Sequence, residues 1–291
     1  NRAYNRDHNF QDRGSDMARI PNLKAPAGAC DTHMHFYDAA RYETAASAAF
    51  TPPDASSDDY KALQQRLGLQ RVVIVQPSTY GRDNTCQLEM AKAFGDDARL
   101  VVVVDENTSD DELESLSAAG ARGARFFMLA GAAVPWDILE PVANKVHEHG
   151  WHIQLQMNGR DFADRHEQLA RLPGTLVVDH VGRFMDPVPL DHPSFKALLH
   201  LIETGRCWVK LSAPYESGLN GPPRWDDLDA SARALVDAAP ERMLWASNWP
   251  HPNHHGKYDE ADLLDLLLHW ADDDATRNRI LVDNPAKLYG F

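Results

Sequence analysis

The sequence predicts a single (β/α)8 barrel, and three observations carry that expectation. Eight short β-rich runs alternate with amphipathic helical stretches along the 291 residues. Runs such as VVIV (72–75) and LVVVV (100–104) are apolar without alternation, as strands buried on both faces of a parallel sheet must be. No second composition regime interrupts the repeat, so 17–291 is assigned to one barrel. A doubly wound open sheet is the competing arrangement. It would more often carry a Gly-rich phosphate turn after the first strand, and none is present.

In chain order the strand runs are 29–36 (ACDTHMHF), 71–78 (RVVIVQPS), 100–107 (LVVVVDEN) and 123–129 (GARFFML). They continue with 152–158 (HIQLQMN), 175–182 (TLVVDHVG), 207–215 (CWVKLSAPY) and 243–251 (MLWASNWPH). Helices are expected over 58–67, 85–94, 110–119, 136–149, 162–172, 194–204, 225–238 and 259–270. Gly68, Gly95, Gly120, Gly150 and Gly205 follow five of them, where a left-handed C-cap residue is wanted. Residues 1–16 are polar and aperiodic. They read as an appended or flexible arm ahead of a natural start at Met17, and carry no fold assignment.

Composition narrows the function. Hydrophobic residues make up 43% of the chain, ample for a large core. A net charge of −14 excludes a nucleic-acid footprint and disfavours anionic membrane surfaces, but a pocket arginine still recognises a small anion. No apolar window approaches a membrane span. The three cysteines are scattered, with no CxxC, which fits a reduced, cytoplasmic setting.

Catalytic residues of such barrels lie at the C-terminal ends of strands, so polar residues late in apolar runs are informative. The first run ends in Asp31-Thr32-His33-Met34-His35, whose period of two puts His33 and His35 on one side. The sixth run places His180 at its end. In the eighth, Asn248 is expected to point inward with Ala246, as a neutral donor and acceptor that cannot act as a general base. Arg125 suits a substrate carboxylate by its planar fork. Lys210 serves either a substrate or an internal ion pair. Ser78, Gln154, Gln156, Asn158, Ser212 and Tyr215 offer hydroxyls and amides to a polyhydroxylated ligand. His251, with His254 and His255, reads as a rim residue that touches substrate; Asp272, Asp273 and Asp274 read as a solvated helix end.

HxH on the first strand, His180 on the sixth and SNWPH on the eighth resemble the amidohydrolase superfamily. More narrowly, CDTHMHFYD, VVIVQPS, VVDHVGRF and ASNWPHP resemble its branch of lactonases and lactone isomerases, including those acting on 2-pyrone-4,6-dicarboxylate and galactarolactone. The resemblance spans 27–291. It implies a general-base Asp where this chain has Asn248, so the chain reads as a base-impaired form, either engineered to trap a ligand or naturally impaired.

The superfamily usually holds divalent metal with further ligands on strands 4 and 5. Strand 4 here has neither Lys nor carboxylate, and the only strand-5 histidine, His152, lies at the wrong end. No metal is therefore expected, with one zinc on His33, His35 and His180 as the alternative. In its place the three histidines are expected to form an oxyanion site. The reaction expected is isomerisation of a sugar-acid 1,5-lactone to the 1,4-lactone by intramolecular acyl transfer. Metal-independent lactone hydrolysis is the second reading and a metal-dependent decarboxylase of the same superfamily the third; from another class, the alternative is a non-catalytic sugar-acid binding protein. The partner is a small anionic lactone; the sequence does not address the oligomeric state.

Overall fold

The computed structural model describes residues 18–291, so the arm expected over 1–16 lies outside the described residues. The strands are β1 (Cys30–Met34), β2 (Arg71–Val75), β3 (Ala98–Val102), β4 (Ala121–Phe127), β5 (His152–Gln156), β6 (Leu176–Val178), β7 (Cys207–Leu211) and β8 (Met243–Trp245). They form one sheet in sequence order, every neighbouring pair parallel. This is the expected (β/α)8 barrel. The ring closes between β1 and β8 by single contacts. Thr32 Oγ1 donates to the Trp245 carbonyl at 2.8 Å, and the Asn248 N–H to the His33 carbonyl at 2.9 Å. The His35 N–H donates to the Trp249 carbonyl at 2.8 Å.

The outer helices are α1 (Ser57–Leu67), α2 (Thr85–Ala91), α3 (Asp110–Ala118), α4 (Leu139–Glu148), α5 (Phe162–Arg171), α6 (Pro193–Glu203), α7 (Asp229–Ala238) and α8 (Glu260–Asp265). Local chemistry sets their ends. Ser56 and Asp59 form a reciprocal capping box at the start of α1, and Gly68 closes it in the left-handed region at φ 76°. α4 buries Leu139, Val142, Ala143 and Val146, the i, i+3, i+4, i+7 stripe of a helix laid on a sheet. Among the described residues no helix is long and apolar enough to cross a membrane, and all three cysteines are buried and free.

Every strand ends before its sequence run does, and two of the endings shape the site. β6 stops at Val178 and β8 at Trp245, because the chain turns left-handed soon after: φ is 57° at His180, 55° at Val181 and 57° at Asn248. Ala246 and Asn248 lie beyond the end of β8, so strand alternation does not set the inward direction that Asn248 nevertheless takes.

The end of the barrel away from these turns contains His152, fully buried against Tyr289 at a centroid distance of 5.3 Å. A Cβ on Gly123 would meet the imidazole at 2.4 Å, which accounts for glycine there. Burial, reinforced by Lys210, pushes the His152 pKa down to about 3. Burial also brings His35 to about 3. Below the ordinary histidine pKa of 6.5 the unfolded chain takes up protons that the folded chain refuses until about pH 3. Stability should therefore fall as pH drops from 6.5 toward 3, by up to ~1.4 kcal/mol per pH unit for each such histidine. Urea unfolding between pH 7 and 4 checks this. His152→Gln should remove about one proton from the slope, and an unchanged slope would refute the assignment.

Candidate active site

β1 carries Asp31 and His33 into the barrel, and both are wholly buried. Asp31 anchors the closing seam: it accepts from Ser247 Oγ at 2.5 Å, Ser247 N at 3.0 Å and Tyr60 Oη at 2.9 Å. Past the strand end, His35 turns back so that its ring meets His33 edge-on, with the two Nε2 atoms 3.2 Å apart.

Hydrogen bonding assigns the protons of this pair. His35 Nδ1 lies 2.7 Å from the Val75 carbonyl, which only accepts, so Nδ1 carries the hydrogen and Nε2 is bare. The proton between the rings then belongs to His33 Nε2. His33 Nδ1 is left to accept from Gln154 Nε2 at 3.2 Å and from Lys210 Nζ at 3.5 Å. Asp179 Oδ1 also lies 3.3 Å from His33 Nδ1, as in an ion pair with imidazolium. Burial and the Lys210 ammonium hold the His33 pKa well below its ordinary value, however, which favours the neutral ring.

Beneath the rim, Lys210 and Gln154 form a closed network. Lys210 Nζ donates to the Thr32 carbonyl and to Gln154 Oε1, both at 2.7 Å, and stands 3.8 Å from Asp179. Gln154 Nε2 donates to Asp179 Oδ2 at 3.2 Å. Burial lowers the Lys210 pKa to about 8, with Asp179 opposing the shift. Both side chains are inaccessible, so the structure makes them supports of the histidines: the substrate contact expected of Gln154 is not available, and of the two readings of Lys210 the internal ion pair is the one found.

Above this layer opens a cleft of about 420 Å3, mouth included. Its lining includes His35, Ser78, Arg125, Gln156, His180 and Asn248 from the expected set, together with Tyr37, Arg183, Glu216 and Asn253. Arg125 is pre-positioned: Nη1 donates to the Gln76 carbonyl at 2.7 Å and Nη2 to Gln156 Oε1 at 2.8 Å. Its Nε–H has no protein acceptor. A guanidinium so held presents its remaining N–H groups to an anion without losing rotamer freedom.

His180 is aimed by the turn after β6, where it, Val181 and Arg183 all have positive φ. Such backbone costs on the order of 1–2 kcal/mol per residue and persists where packing over-determines it, often at functional sites. Its Nδ1 meets Ser212 Oγ at 2.9 Å, and its Nε2 has no protein partner among the described residues. Burial keeps the ring neutral, its pKa well below the usual value. The Ser212 hydroxyl rotates, so Nε2 can offer either a lone pair or an N–H. Of the three rim histidines, only His180 has a ring nitrogen left for a ligand. The three-imidazole oxyanion site expected from the sequence reduces to one.

Asn248 sits at φ 57°, a conformation Asn tolerates better than most residues. Its Nδ2 donates to Tyr215 Oη at 2.9 Å. Tyr215 in turn meets His251 Nδ1 at 2.9 Å, and His251 Nε2 meets Glu260 Oε1 at 3.1 Å. Ser212, Tyr215 and His251 therefore orient other side chains and do not line the cleft, contrary to the substrate contacts expected of them. Asn158 is also displaced from that role: its Oδ1 caps a short turn by accepting from Arg160 N at 3.1 Å.

Sequence reasoning passed over Arg183 and Glu216, which lie in the turns after β6 and β7, beyond the reach of strand periodicity. The signal available was adjacency, Arg183 in the same motif as His180 and Glu216 next to Tyr215. As for a metal, ligand atoms of His33, Asp179 and His180 lie within 4.8 Å of one another. The fit is poor: the Lys210 ammonium lies 3.5 Å from His33 Nδ1 and 3.8 Å from Asp179, a cation already holding this corner. Both His33 nitrogens are engaged as well.

A family model described as amidohydrolase matches residues 30–291. The chain is 37% identical over 274 residues to a D-galactarolactone isomerase of Agrobacterium fabrum, covering 92% of this chain and 93% of the relative. It is 34% identical over 281 residues to a 2-pyrone-4,6-dicarboxylate hydrolase of Comamonas testosteroni, covering 92% of each. A crystal structure of an apo protein from Agrobacterium tumefaciens superposes with a TM-score of 0.88 at 36% identity, covering 93% of this chain and 98% of that one.

Proposed function

The chain belongs to the amidohydrolase family, and from that premise we propose that it is a metal-independent lactone isomerase of sugar-acid catabolism, working on a D-galactarolactone-like monoanion. The observation that carries the reading is the cleft lining: one pre-positioned guanidinium, Arg125, among the hydroxyl and amide groups of Ser78, Gln156, Asn248 and Asn253. Such a wall suits a hydroxylated ring bearing a carboxylate. The isomerase relative, 37% identical along nearly the whole chain, supports the same choice.

In this reading Arg125 holds the substrate carboxylate. His180 Nε2–H, in the tautomer whose Nδ1 accepts from Ser212 Oγ, polarises the lactone carbonyl. A hydroxyl of the substrate attacks that carbon, the ring C–O bond breaks, and the proton of the attacking hydroxyl ends on the departing ring oxygen, exchanging a six-membered for a five-membered lactone with no water consumed. Asn248 can orient the attacking hydroxyl but cannot keep its proton. Isomerisation tolerates that loss better than hydrolysis does, because its nucleophile is already tethered at high effective concentration. Three free, buried cysteines are compatible with the cytoplasmic setting in which we place it.

Proton NMR with D-galactaro-1,5-lactone tests the proposal on the chain and on Asn248→Asp. Appearance of the 1,4-lactone supports it. The open diacid would establish a lactonase instead, and loss of activity in EDTA, restored by zinc, would overturn the metal-free assignment.

A further inference from the structure

We infer that Glu216 sets the charge of the ligand this cleft accepts: by neutralising Arg183 it restricts the site to lactones with a single carboxylate. This rests on reading the cleft as a lactone site and adds the selection rule. Arg183 Nη2 donates to Glu216 Oε2 at 2.5 Å, both side chains largely buried on the cleft wall. Arg183 Nη1 is turned toward Met185 Sδ at 3.1 Å, and its Nε–H has no protein acceptor. A second guanidinium is thus built into the wall and then occupied by the protein's own carboxylate.

The charges around the cleft can be counted. His35 and His180 are neutral by burial, and Asn248 carries none. Lys210 and Asp179 cancel beneath the floor, 3.8 Å apart. Arg183 and Glu216 cancel in the wall, which leaves Arg125 as the one uncompensated cation among the lining residues. A second ligand carboxylate would have to displace Glu216 from Arg183 and leave that carboxylate buried without a partner, which is the cost that rejects it.

The geometry of the pair is imposed from both sides. Arg183 ends the left-handed turn after β6, at φ 47°. Glu216 ends the short turn Pro214–Glu216 after β7, entered through Ala213 at φ 44°. Each side chain is delivered by a turn that also aims a site residue, His180 on one side and Tyr215 on the other.

Two planar probes differing by one carboxylate, 2-pyrone-6-carboxylate and 2-pyrone-4,6-dicarboxylate, read this by calorimetric binding. The unmodified chain should favour the monoacid. Glu216→Gln should tighten the diacid about tenfold or more while moving the monoacid less than about threefold. An unchanged diacid-to-monoacid ratio overturns the inference, as does failure of the unmodified chain to bind the monoacid. If Glu216→Gln does not fold, the pair Arg183→Gln with Glu216→Gln removes both charges and should keep the original ratio; a swing toward the diacid would overturn the inference. The readout is binding, so its failure is separable from that of the isomerase reading. A chain that binds both probes as expected yet never forms the 1,4-lactone loses only the latter.

Discussion

Asn248→Asp is expected to raise kcat for lactone isomerisation by about two to four orders of magnitude, the usual worth of a positioned general base. KM should move little, because Arg125 and the amide lining are untouched. The substitution changes more than one atom's chemistry. At present the Asn248 amide donates to Tyr215 Oη, so the tyrosine proton goes to His251 Nδ1 and the His251 Nε2–H to Glu260. A carboxylate at 248 can only accept. Tyr215 must then donate to it, and His251 must turn an Nδ1–H toward Tyr215 while keeping its Nε2–H on Glu260. The chain reverses direction, and His251 becomes the cation that balances the new charge. Arg66, which bonds both Glu260 and Asp259, holds the far end in place. Steady-state kinetics of Asn248→Asp and of Asn248→Asp with His251→Asn check this. The double variant should lose much of the gain. If Asn248→Asp binds ligands but gains no activity on any candidate lactone, the chain is a sugar-acid binding protein.

Lys210→Met should lower the unfolding free energy by about 3–5 kcal/mol, the cost of leaving one partner of a buried charge pair uncompensated. Lys210 is wholly enclosed, 3.8 Å from Asp179, and also satisfies Gln154 Oε1 and the Thr32 carbonyl. Adding Asp179→Asn removes the stranded carboxylate and should recover part of the loss. Urea denaturation at pH 7 measures both. A single-variant loss under about 1 kcal/mol, or a double variant no better than the single, would show that the network is not held by charge.

The barrel was legible because burial on both faces leaves a direct trace, unbroken apolar runs separated by helical stretches with glycine caps. The site was legible as a list of residue types near strand ends, and His35, His180, Arg125, Gln156, Ser78 and Asn248 do share one cleft. Depth was not legible. Alternation says which face a side chain takes, but how far along the barrel axis it sits depends on strand tilt and stagger. Gln154 was therefore expected at the ligand and lies beneath it, while alternation left Lys210 open between the ligand and the internal ion pair that it makes. The left-handed turns at His180–Arg183 and at Asn248 were hidden too, since Val and Arg disfavour positive φ and a single His or Asn is only a weak local hint of it. The turn at His180–Arg183, together with the one entered through Ala213, decides that Arg183 and Glu216 meet.

The left-handed backbone at Asn248 has a consequence for how this enzyme can change. Asn and Asp are the side chains best suited to that conformation, and they differ by the exchange of one NH2 for one oxygen. Backbone and closing seam accept either, while the buried carboxylate brings a charge that the reversed Tyr215–His251–Glu260 chain must balance. A single-nucleotide change therefore gains or loses a proton acceptor without altering the backbone turn, and a silenced copy stays as a folded binder from which the catalyst is recovered in one step.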